Sequence, residues 1–205
     1  MPRVLGAMFG DSVAGGVLSP AGWSETGPLL SSLDQPNYWL SSYGVQGMGS
    51  GLQESQLWAH LPTLRDKAGV QLYGVQAISS NDVGFTTPTA LANQLAMLLR
   101  CKDYVESEGC MCFFFQLCPP GTRASTGGWV TQFDLLMTEL ATLYGPAFIN
   151  IKSSVEDPAN LNHWLTTYSS DDTHINSAGL PIQRTAWRAP FEAYLASLGL
   201  TLPLV

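Results

Sequence analysis

The sequence has few charged residues and a deficit of basic ones. Asp, Glu, Lys and Arg make up 12% of the 205 residues, and nine Lys and Arg stand against 16 Asp and Glu, which gives a formal net charge of −7 at pH 7. Nucleic-acid binding depends on basic surface that neutralises phosphates, so this composition argues against a nucleic-acid partner. A basic amphipathic stretch of the kind that binds membrane surfaces is also absent.

Long hydrophobic runs are missing as well. No apolar stretch reaches the roughly 18 residues that a membrane-spanning helix needs. The N-terminus has no basic segment that leads into an apolar core, as a secretory signal would have. We therefore expect a soluble protein without a membrane span, either cytoplasmic or secreted after removal of a signal. The sequence carries no indication of an oligomeric state.

Cysteines are few and form no C-x-x-C pair. Cys101, Cys110, Cys112 and Cys118 are clustered, but no histidine lies nearby in the sequence to complete a zinc set. We expect no bound metal and interpret the four side chains as reduced thiols that pack as small hydrophobic groups. A domain of this size does not require a disulfide framework.

The chain is rich in apolar residues, and their pattern predicts alternating strands and helices. Hydrophobic residues make up 45% of the sequence, enough for the core of one domain over residues 1–205. Short apolar runs predict strands, and longer stretches with helical spacing lie between them. This alternation predicts an α/β fold with a mainly parallel sheet of about five strands, covered on both faces. The predicted strands are Val4–Phe9, Tyr38–Tyr43, Val70–Ile78, Cys112–Leu117 and Ala147–Ile151.

Two of the predicted helices contain an internal proline, which is expected to interrupt them. The predicted helices are Leu52–Lys67, Thr89–Val105, Val130–Leu143 and Leu180–Leu198. Pro62 is expected to break or restart the first of them, and Pro190 to kink or split the last. Apolar faces are predicted from two sets of residues: Leu91, Leu95, Leu98 and Leu99, and then Phe133, Leu136, Leu140 and Leu143.

Polar residues of types that take part in catalysis follow the predicted strands. Ser12 follows the first strand in Gly10-Asp11-Ser12, Gly47 lies past the second, and Asn81 past the third. Asp171 and His174 lie in the last loop before the C-terminal helix. Because ligands bind beyond the carboxyl ends of parallel strands, we expect these residues to share one edge of the sheet.

These residue types suit acyl transfer. Ser12 would attack an acyl carbonyl, His174 would act first as general base and then as general acid, and Asp171 would fix the tautomer of the histidine. The oxyanion needs donors placed in advance, which the backbone N–H groups of Ser12 and Gly47 and the side-chain amide of Asn81 would supply. Three further glycines compete with Gly47 for this role: Gly44, Gly49 and Gly51.

Four ordered blocks of the sequence resemble those of the SGNH (GDSL-type) hydrolase family. They are Gly10-Asp11-Ser12, Gly44-Val45-Gln46-Gly47, Ser79-Ser80-Asn81-Asp82 and Asp171-Asp172-Thr173-His174. The resemblance implies a flavodoxin-like, three-layer α/β/α sandwich and serine-dependent ester hydrolysis, with the roles given above for Ser12, Gly47, Asn81, Asp171 and His174. Two residues depart from the family pattern, since Ser79 and Asp172 stand where the family usually or often has glycine.

The resemblance implies a serine esterase that needs no metal or organic cofactor and acts on a small-molecule or carbohydrate ester. We expect short acyl chains or acetyl groups as its substrates. A thioesterase, lysophospholipase or acyltransferase would use the same site, and a non-catalytic carbohydrate-binding module is the alternative of another class. Asp11 and Asp82 are interpreted as loop-holding groups. For Trp23, Phe85 and Trp129, beside predicted loops at this edge, lining a pocket and burial under the loop are equally expected.

Overall fold

The computed structural model describes residues 4–15, 38–64 and 70–200, so the loop tryptophan Trp23 lies outside the described residues. Strands and helices alternate in these ranges, as the hydrophobic pattern predicts. The strands are β1 (Val4–Gly10), β2 (Tyr38–Gly44), β3 (Val70–Gln76), β4 (Met111–Gln116) and β5 (Phe148–Asn150). The helices are α1 (Ser12–Gly15), α2 (Ser50–Leu64), α3 (Pro88–Ser107), α4 (Trp129–Tyr144) and α5 (Leu180–Ser197).

The described strands form one parallel five-stranded sheet. Their order is β2-β1-β3-β4-β5, and each neighbouring pair is parallel. This is the flavodoxin-like strand order, in which the topological switch point lies between β1 and β3. The predicted fold class is therefore confirmed, and the loops after β1 and β3 flank the crevice where ligands bind in such sheets.

Alternation along the strands produces one core on each face of the sheet. On one face, Met8 of β1 and Phe113 of β4 pack with Trp187 and Phe191 of α5. On the other face, Phe9 of β1 and its neighbours pack against α2, α3 and α4. Successive side chains of a strand point to opposite faces, so the same strand serves both cores. The result is the three-layer α/β/α arrangement.

Two helices contain an internal proline and are nevertheless continuous. Pro190 lies inside α5 and Pro62 near the end of α2, so the predicted split at Pro190 and the predicted break at Pro62 are wrong. An internal proline costs a helix about 3 kcal/mol through its lost N–H donor and its steric clash. In α5, the buried side chains of Trp187, Phe191 and Tyr194 flank the proline, and we attribute the continuity of the helix to their packing.

Each of the two predicted apolar faces includes one leucine that is exposed in the structure. Leu99 is 48% exposed and Leu143 is 62% exposed, whereas Leu98 and Leu140 are fully buried. Leu99 follows Leu98 directly, and consecutive helical residues point about 100° apart. Leu143 lies in the last turn of α4, where residues 141–143 are all exposed. Among the described residues, no helix combines the length and the apolar character needed to cross a membrane.

Candidate active site

Ser12 lies where β1 ends and the chain turns into the short helix α1. Its side chain is almost fully buried, with 4% of the residue exposed. The hydroxyl Oγ lies 3.0 Å from Nε2 of His174, although the two residues are 162 positions apart in the sequence. This distance is that of a hydrogen bond, so the imidazole is within reach of the hydroxyl proton.

His174 and Asp171 lie in one turn of the loop before α5. Nδ1 of His174 lies 2.8 Å from Oδ2 of Asp171, and the backbone N–H of His174 donates to Oδ1 at 2.8 Å. Thr173 N and the Ser169 hydroxyl donate to the same oxygen, Oδ1. The carboxylate therefore holds both the ring and the backbone of the histidine, and Nε2 is left to face Ser12.

The carboxyl group of Asp171 is ionised over the whole neutral and mildly acidic range. Partial burial raises its pKa, but the hydrogen bonds from the backbone and ring of His174 and from the backbone of Thr173 outweigh this effect and bring the pKa to about 2. Hydrogen bonds to the charged form favour that form. A negative charge next to Nδ1 stabilises an imidazolium when His174 takes a proton from Ser12.

Gly47 occupies the turn that follows β2. The N–H of Val45 donates to the carbonyl of Gly10 at 3.1 Å, and the N–H of Met48 donates to the carbonyl of Val45 at 3.2 Å. Gly47 has φ +72°, a backbone conformation that glycine adopts without steric cost. The first of these bonds ties the end of β2 directly to the residue two positions before Ser12.

Asn81 lies in the loop after β3, and its amide already has partners in the protein. Nδ2 lies 3.2 Å from the carbonyl oxygen of Met48 and 3.2 Å from Oγ of Ser79. These bonds join the loop after β2 to the loop after β3. A primary amide has two donor hydrogens, so an oxyanion would replace one of these two bonds.

Asp11 is the buried anchor beneath these loops. Its carboxylate accepts hydrogen bonds from the backbone N–H of Val13 at 2.9 Å, from the hydroxyl of Ser79 at 2.7 Å and from the backbone N–H of Ser80 at 3.2 Å. Burial raises the pKa of Asp11 above its usual value, and these hydrogen bonds offset part of the shift. The side chain joins the loop after β1 to the loop after β3, in keeping with its interpretation as a loop-holding group.

Asp82 ties the same loop to the first turn of α2. Its carboxylate accepts from the backbone N–H and the hydroxyl of Ser50, and from the backbone N–H of Ser79. The carbonyl oxygen of Asp82 accepts from the indole Nε1–H of Trp129 at 2.9 Å. Asp82 is thus a second loop-holding carboxylate, as its sequence context suggests.

Asp172 faces away from His174 even though the two residues are close in sequence. Oδ2 lies 2.6 Å from Nδ1 of His163, and Oδ1 accepts from the backbone N–H of Trp164 at 2.8 Å. The sequence does not reveal this second histidine–aspartate pair, because nothing in the spacing brings His163 beside Asp172. In this geometry the carboxylate of Asp172 holds the neighbouring loop of His163 and Trp164.

The backbone of Asp172 is also held by contacts with a neighbouring loop. It has φ +55°, and its carbonyl accepts from the backbone N–H of Thr122 at 3.0 Å. Gly121 lies against the same carbonyl, and a Cβ at Gly121 would lie only 1.9 Å from that oxygen. A glycine is therefore required at position 121 for the two loops to approach.

The two described loop aromatics are buried beneath the site edge. Phe85 and Trp129 are 4% and 1% exposed, and their rings meet edge to face with centroids 5.8 Å apart. Both side chains are therefore buried under the loop, and Phe85 also forms part of the wall of a cavity between α2 and α3.

A cavity of about 340 Å³ lies beside the loop after β3, between α2 and α3. Its lining includes Asp82, Phe85, Met97 and the ion-paired Glu54 and Arg100, but neither Ser12 nor His174. It is therefore separate from the serine and the histidine. Within the described ranges, no group of three or more His, Cys, Asp or Glu side chains is placed so that it could hold a metal ion.

Comparison with known proteins finds similar structures but no similar sequence. No protein-family model matches this chain. A search of curated protein sequences finds no match either.

Three solved structures illustrate the similarity. A GDSL-like lipase from Bacteroides thetaiotaomicron has a TM-score of 0.66 at 14% identity, over 95% of this chain and 89% of the other. The psychrotrophic esterase EstA from Pseudoalteromonas sp., in a form inhibited by monoethylphosphonate, has a TM-score of 0.63 at 16% identity, over 94% and 98%. A member of the lipolytic protein G-D-S-L family from Veillonella parvula has a TM-score of 0.64 at 13% identity, over 90% and 96%. The chain therefore has the fold of these GDSL-type lipases and esterases.

Proposed function

We propose that this protein is an SGNH-type serine esterase that hydrolyses carboxylic esters through an acyl-Ser12 intermediate. The observation that carries the proposal is the continuous path from Ser12 Oγ to His174 Nε2 at 3.0 Å and from His174 Nδ1 to Asp171 Oδ2 at 2.8 Å. The structural neighbours support the same class of reaction, since their names describe lipases, esterases and acylhydrolases.

In the proposed first half-reaction, Oγ of Ser12 attacks the ester carbonyl carbon while Nε2 of His174 takes the hydroxyl proton. The carbonyl π electrons move to the oxygen, which becomes the oxyanion of a tetrahedral intermediate. The backbone N–H groups of Ser12 and Gly47 and the amide of Asn81 are the proposed donors to this oxyanion. When the intermediate collapses, the bond to the alcohol oxygen breaks and Nε2 returns the proton to the departing alcohol.

The second half-reaction repeats these steps with water. Nε2 of His174 takes a proton from a water molecule, the water oxygen attacks the acyl carbon, and the bond to Oγ of Ser12 breaks. The carboxylic acid leaves, and Ser12 regains its proton from the imidazole. Asp171 remains ionised throughout because its pKa is about 2.

The proposed substrates are esters of short acyl chains or acetyl groups, on a small alcohol or a carbohydrate. A series of p-nitrophenyl esters from acetate to palmitate, with matching thioesters, separates these classes. A preference for long chains or for thioesters would favour the lysophospholipase or thioesterase alternatives.

The decisive test is substitution of the nucleophile. We expect Ser12→Ala to lower kcat for p-nitrophenyl acetate by at least about 10³-fold, because the acyl-enzyme route is lost. It should also abolish covalent labelling by a fluorophosphonate. Ser125→Ala is a matched control, since its exposed hydroxyl donates to the nearby carbonyl of Thr122. Full activity in Ser12→Ala would end the proposal, and a wild-type protein with neither labelling nor hydrolysis would favour a carbohydrate-binding module.

A further inference from the structure

One buried hydroxyl lies where three loops of the site meet. Ser79 has no exposed surface, and its Oγ lies 2.7 Å from Oδ2 of Asp11 and 2.8 Å from the carbonyl oxygen of Met48. The same oxygen accepts hydrogen bonds from the backbone N–H of Asn81 at 3.0 Å and from its side-chain Nδ2 at 3.2 Å. A serine hydroxyl has one donor hydrogen and two acceptor lone pairs. The single hydrogen is therefore shared between Asp11 and the Met48 carbonyl, and both lone pairs accept from Asn81.

Each partner of this hydroxyl is a proposed oxyanion donor or the direct neighbour of one. Asp11 precedes Ser12, Met48 follows Gly47, and Asn81 is itself a proposed donor. Tying the Asp11 side chain and the Met48 carbonyl to one buried hydroxyl restricts the placement of the adjacent residues Ser12 and Gly47, and with them the placement of their backbone N–H groups. The Ser79 hydroxyl therefore links the three loops that carry the proposed donors.

We propose that Ser79 is the positioning residue of the oxyanion hole. This inference rests on the proposed esterase function and adds a residue to which the reaction itself assigns no role. Oxyanion stabilisation depends on donors that are already placed before charge develops, and such sites need support from residues behind them. Ser79 supplies this support without touching the substrate.

Among the residues that the structure describes, the Ser80 hydroxyl is a poor replacement for that of Ser79. The site is closed to solvent at this point, since Asp11 and Ser79 both have no exposed surface. Removal of the hydroxyl takes one donor from the buried carboxylate of Asp11 and the acceptor from both N–H groups of Asn81. The neighbouring Ser80 hydroxyl is a weak substitute, because it lies 3.5 Å from Oδ2 of Asp11.

The test compares Ser79→Ala and Ser79→Gly with the control Ser80→Ala in the full chain. Loss of one oxyanion donor lowers kcat by about 10²- to 10³-fold, and a misplaced donor costs less than a missing one. We expect both Ser79 variants to fold and to lower kcat for p-nitrophenyl acetate by about 10- to 100-fold, with KM within about twofold. The rate of fluorophosphonate labelling should fall by a similar factor, whereas Ser80→Ala should stay within about threefold of wild type.

Two readouts separate positioning from a general structural role. The pH at which kcat/KM falls in acid should be the same in Ser79→Ala as in wild type, because the contacts between Ser12, His174 and Asp171 do not involve Ser79. In a double-mutant cycle with Asn81→Ala, the double variant should lose less activity than the product of the two single losses, because both changes disable the same donor.

Several outcomes would overturn the proposal. They are a kcat of both Ser79 variants within threefold of wild type, an equal loss in Ser80→Ala, a loss expressed in KM alone, and independent effects in the cycle with Asn81→Ala. Failure of both Ser79 variants to fold would assign the hydroxyl to folding and would also count against it. The esterase proposal fails separately, through retained activity in Ser12→Ala.

Discussion

The two carboxylates of the candidate site lie in opposite environments. Asp11 has no exposed surface, and its carboxylate accepts from donors in two separate stretches of chain, Val13 in one and Ser79 and Ser80 in the other. The side chain of Asp171 is 46% exposed and takes its hydrogen bonds from its own loop. Burial raises the pKa of Asp11, whereas hydrogen bonds from His174 and Thr173 lower the pKa of Asp171 to about 2 despite its partial burial.

This contrast separates two tasks that a catalytic site has to perform. Asp11 joins loops that carry the nucleophile and the proposed oxyanion donors, so its bonds contribute to the fold and only indirectly to the reaction. The described contacts of Asp171 lie within its own loop, and they direct the His174 ring that lies against Ser12. We expect substitutions at Asp11 to act mainly on stability and substitutions at Asp171 to act mainly on turnover.

The largest effect is expected from Asp171→Asn. The amide keeps the size of the side chain but no longer favours the histidine tautomer with a proton on Nδ1, and we expect kcat to fall by about 10²- to 10⁴-fold with little change in KM. Asp172→Asn is the matched control, because that side chain faces His163 and not His174. Steady-state kinetics on p-nitrophenyl acetate measures both variants. Equal losses of kcat in Asp171→Asn and Asp172→Asn would contradict a specific role of Asp171 in turnover.

The next effect concerns stability. Asp11→Ala leaves the N–H groups of Val13 and Ser80 without their acceptor and removes one of the two acceptors of the Ser79 hydroxyl. We expect a loss of about 2–4 kcal/mol in the free energy of unfolding. Asp171→Ala should lose about 1 kcal/mol or less, because water can reach the groups around a half-exposed side chain. Urea unfolding of both variants measures the difference, and similar losses would break the comparison.

The pH dependence of stability should distinguish the same two groups by sign. The folded-state pKa of Asp11 is raised, so its contribution is present below the unfolded pKa of about 3.9 and is lost as pH rises towards the folded value. Asp171 acts in the opposite direction, since its contribution is present above about pH 4 and is lost as pH falls through about 2. Asp11→Asn should therefore flatten the decline in stability above pH 4. An unchanged slope in urea unfolding would contradict the assignment to Asp11.

The smallest effect is expected at the second histidine–aspartate pair. His163 and Asp172 are each about one-third exposed, and such pairs contribute little to stability. We expect His163→Gln to change kcat/KM by less than about threefold, because the backbone N–H of Trp164 still holds Asp172. A loss above tenfold would show that this pair supports the turn of Asp171 and His174.

The hydrophobic pattern predicted the five strands and four longer helices because its signals are local. Apolar runs set the strand positions to within two residues or so, and helical spacing located α3 and α4. The errors have physical causes that lie outside any local window. The continuity of α5 through Pro190 is attributed to packing against the sheet, and the exposure of Leu143 follows from where α4 ends.

The sequence allowed the candidate reacting residues to be predicted, but not the hydrogen bonds that hold them in place. Ser12 and His174 could be named because polar residues that follow parallel strands converge at one edge. The bonds that hold Asn81 could not be named, since they depend on side chains from different loops. Ser79 was visible in the sequence only as a departure from a family pattern, and its four contacts have no signature in spacing.

By itself, the sequence determined which chemical groups are present and in what order they follow the strands. The i, i+3 spacing of Asp171 and His174 also places carboxylate and imidazole within one turn. Only the tertiary structure decided that Ser12 meets His174 across 162 residues, and that Asp172 turns to His163 instead. The physical reason is that periodicity reports which face of an element is buried, whereas contact between loops depends on how separate elements end and pack at a common edge of the sheet.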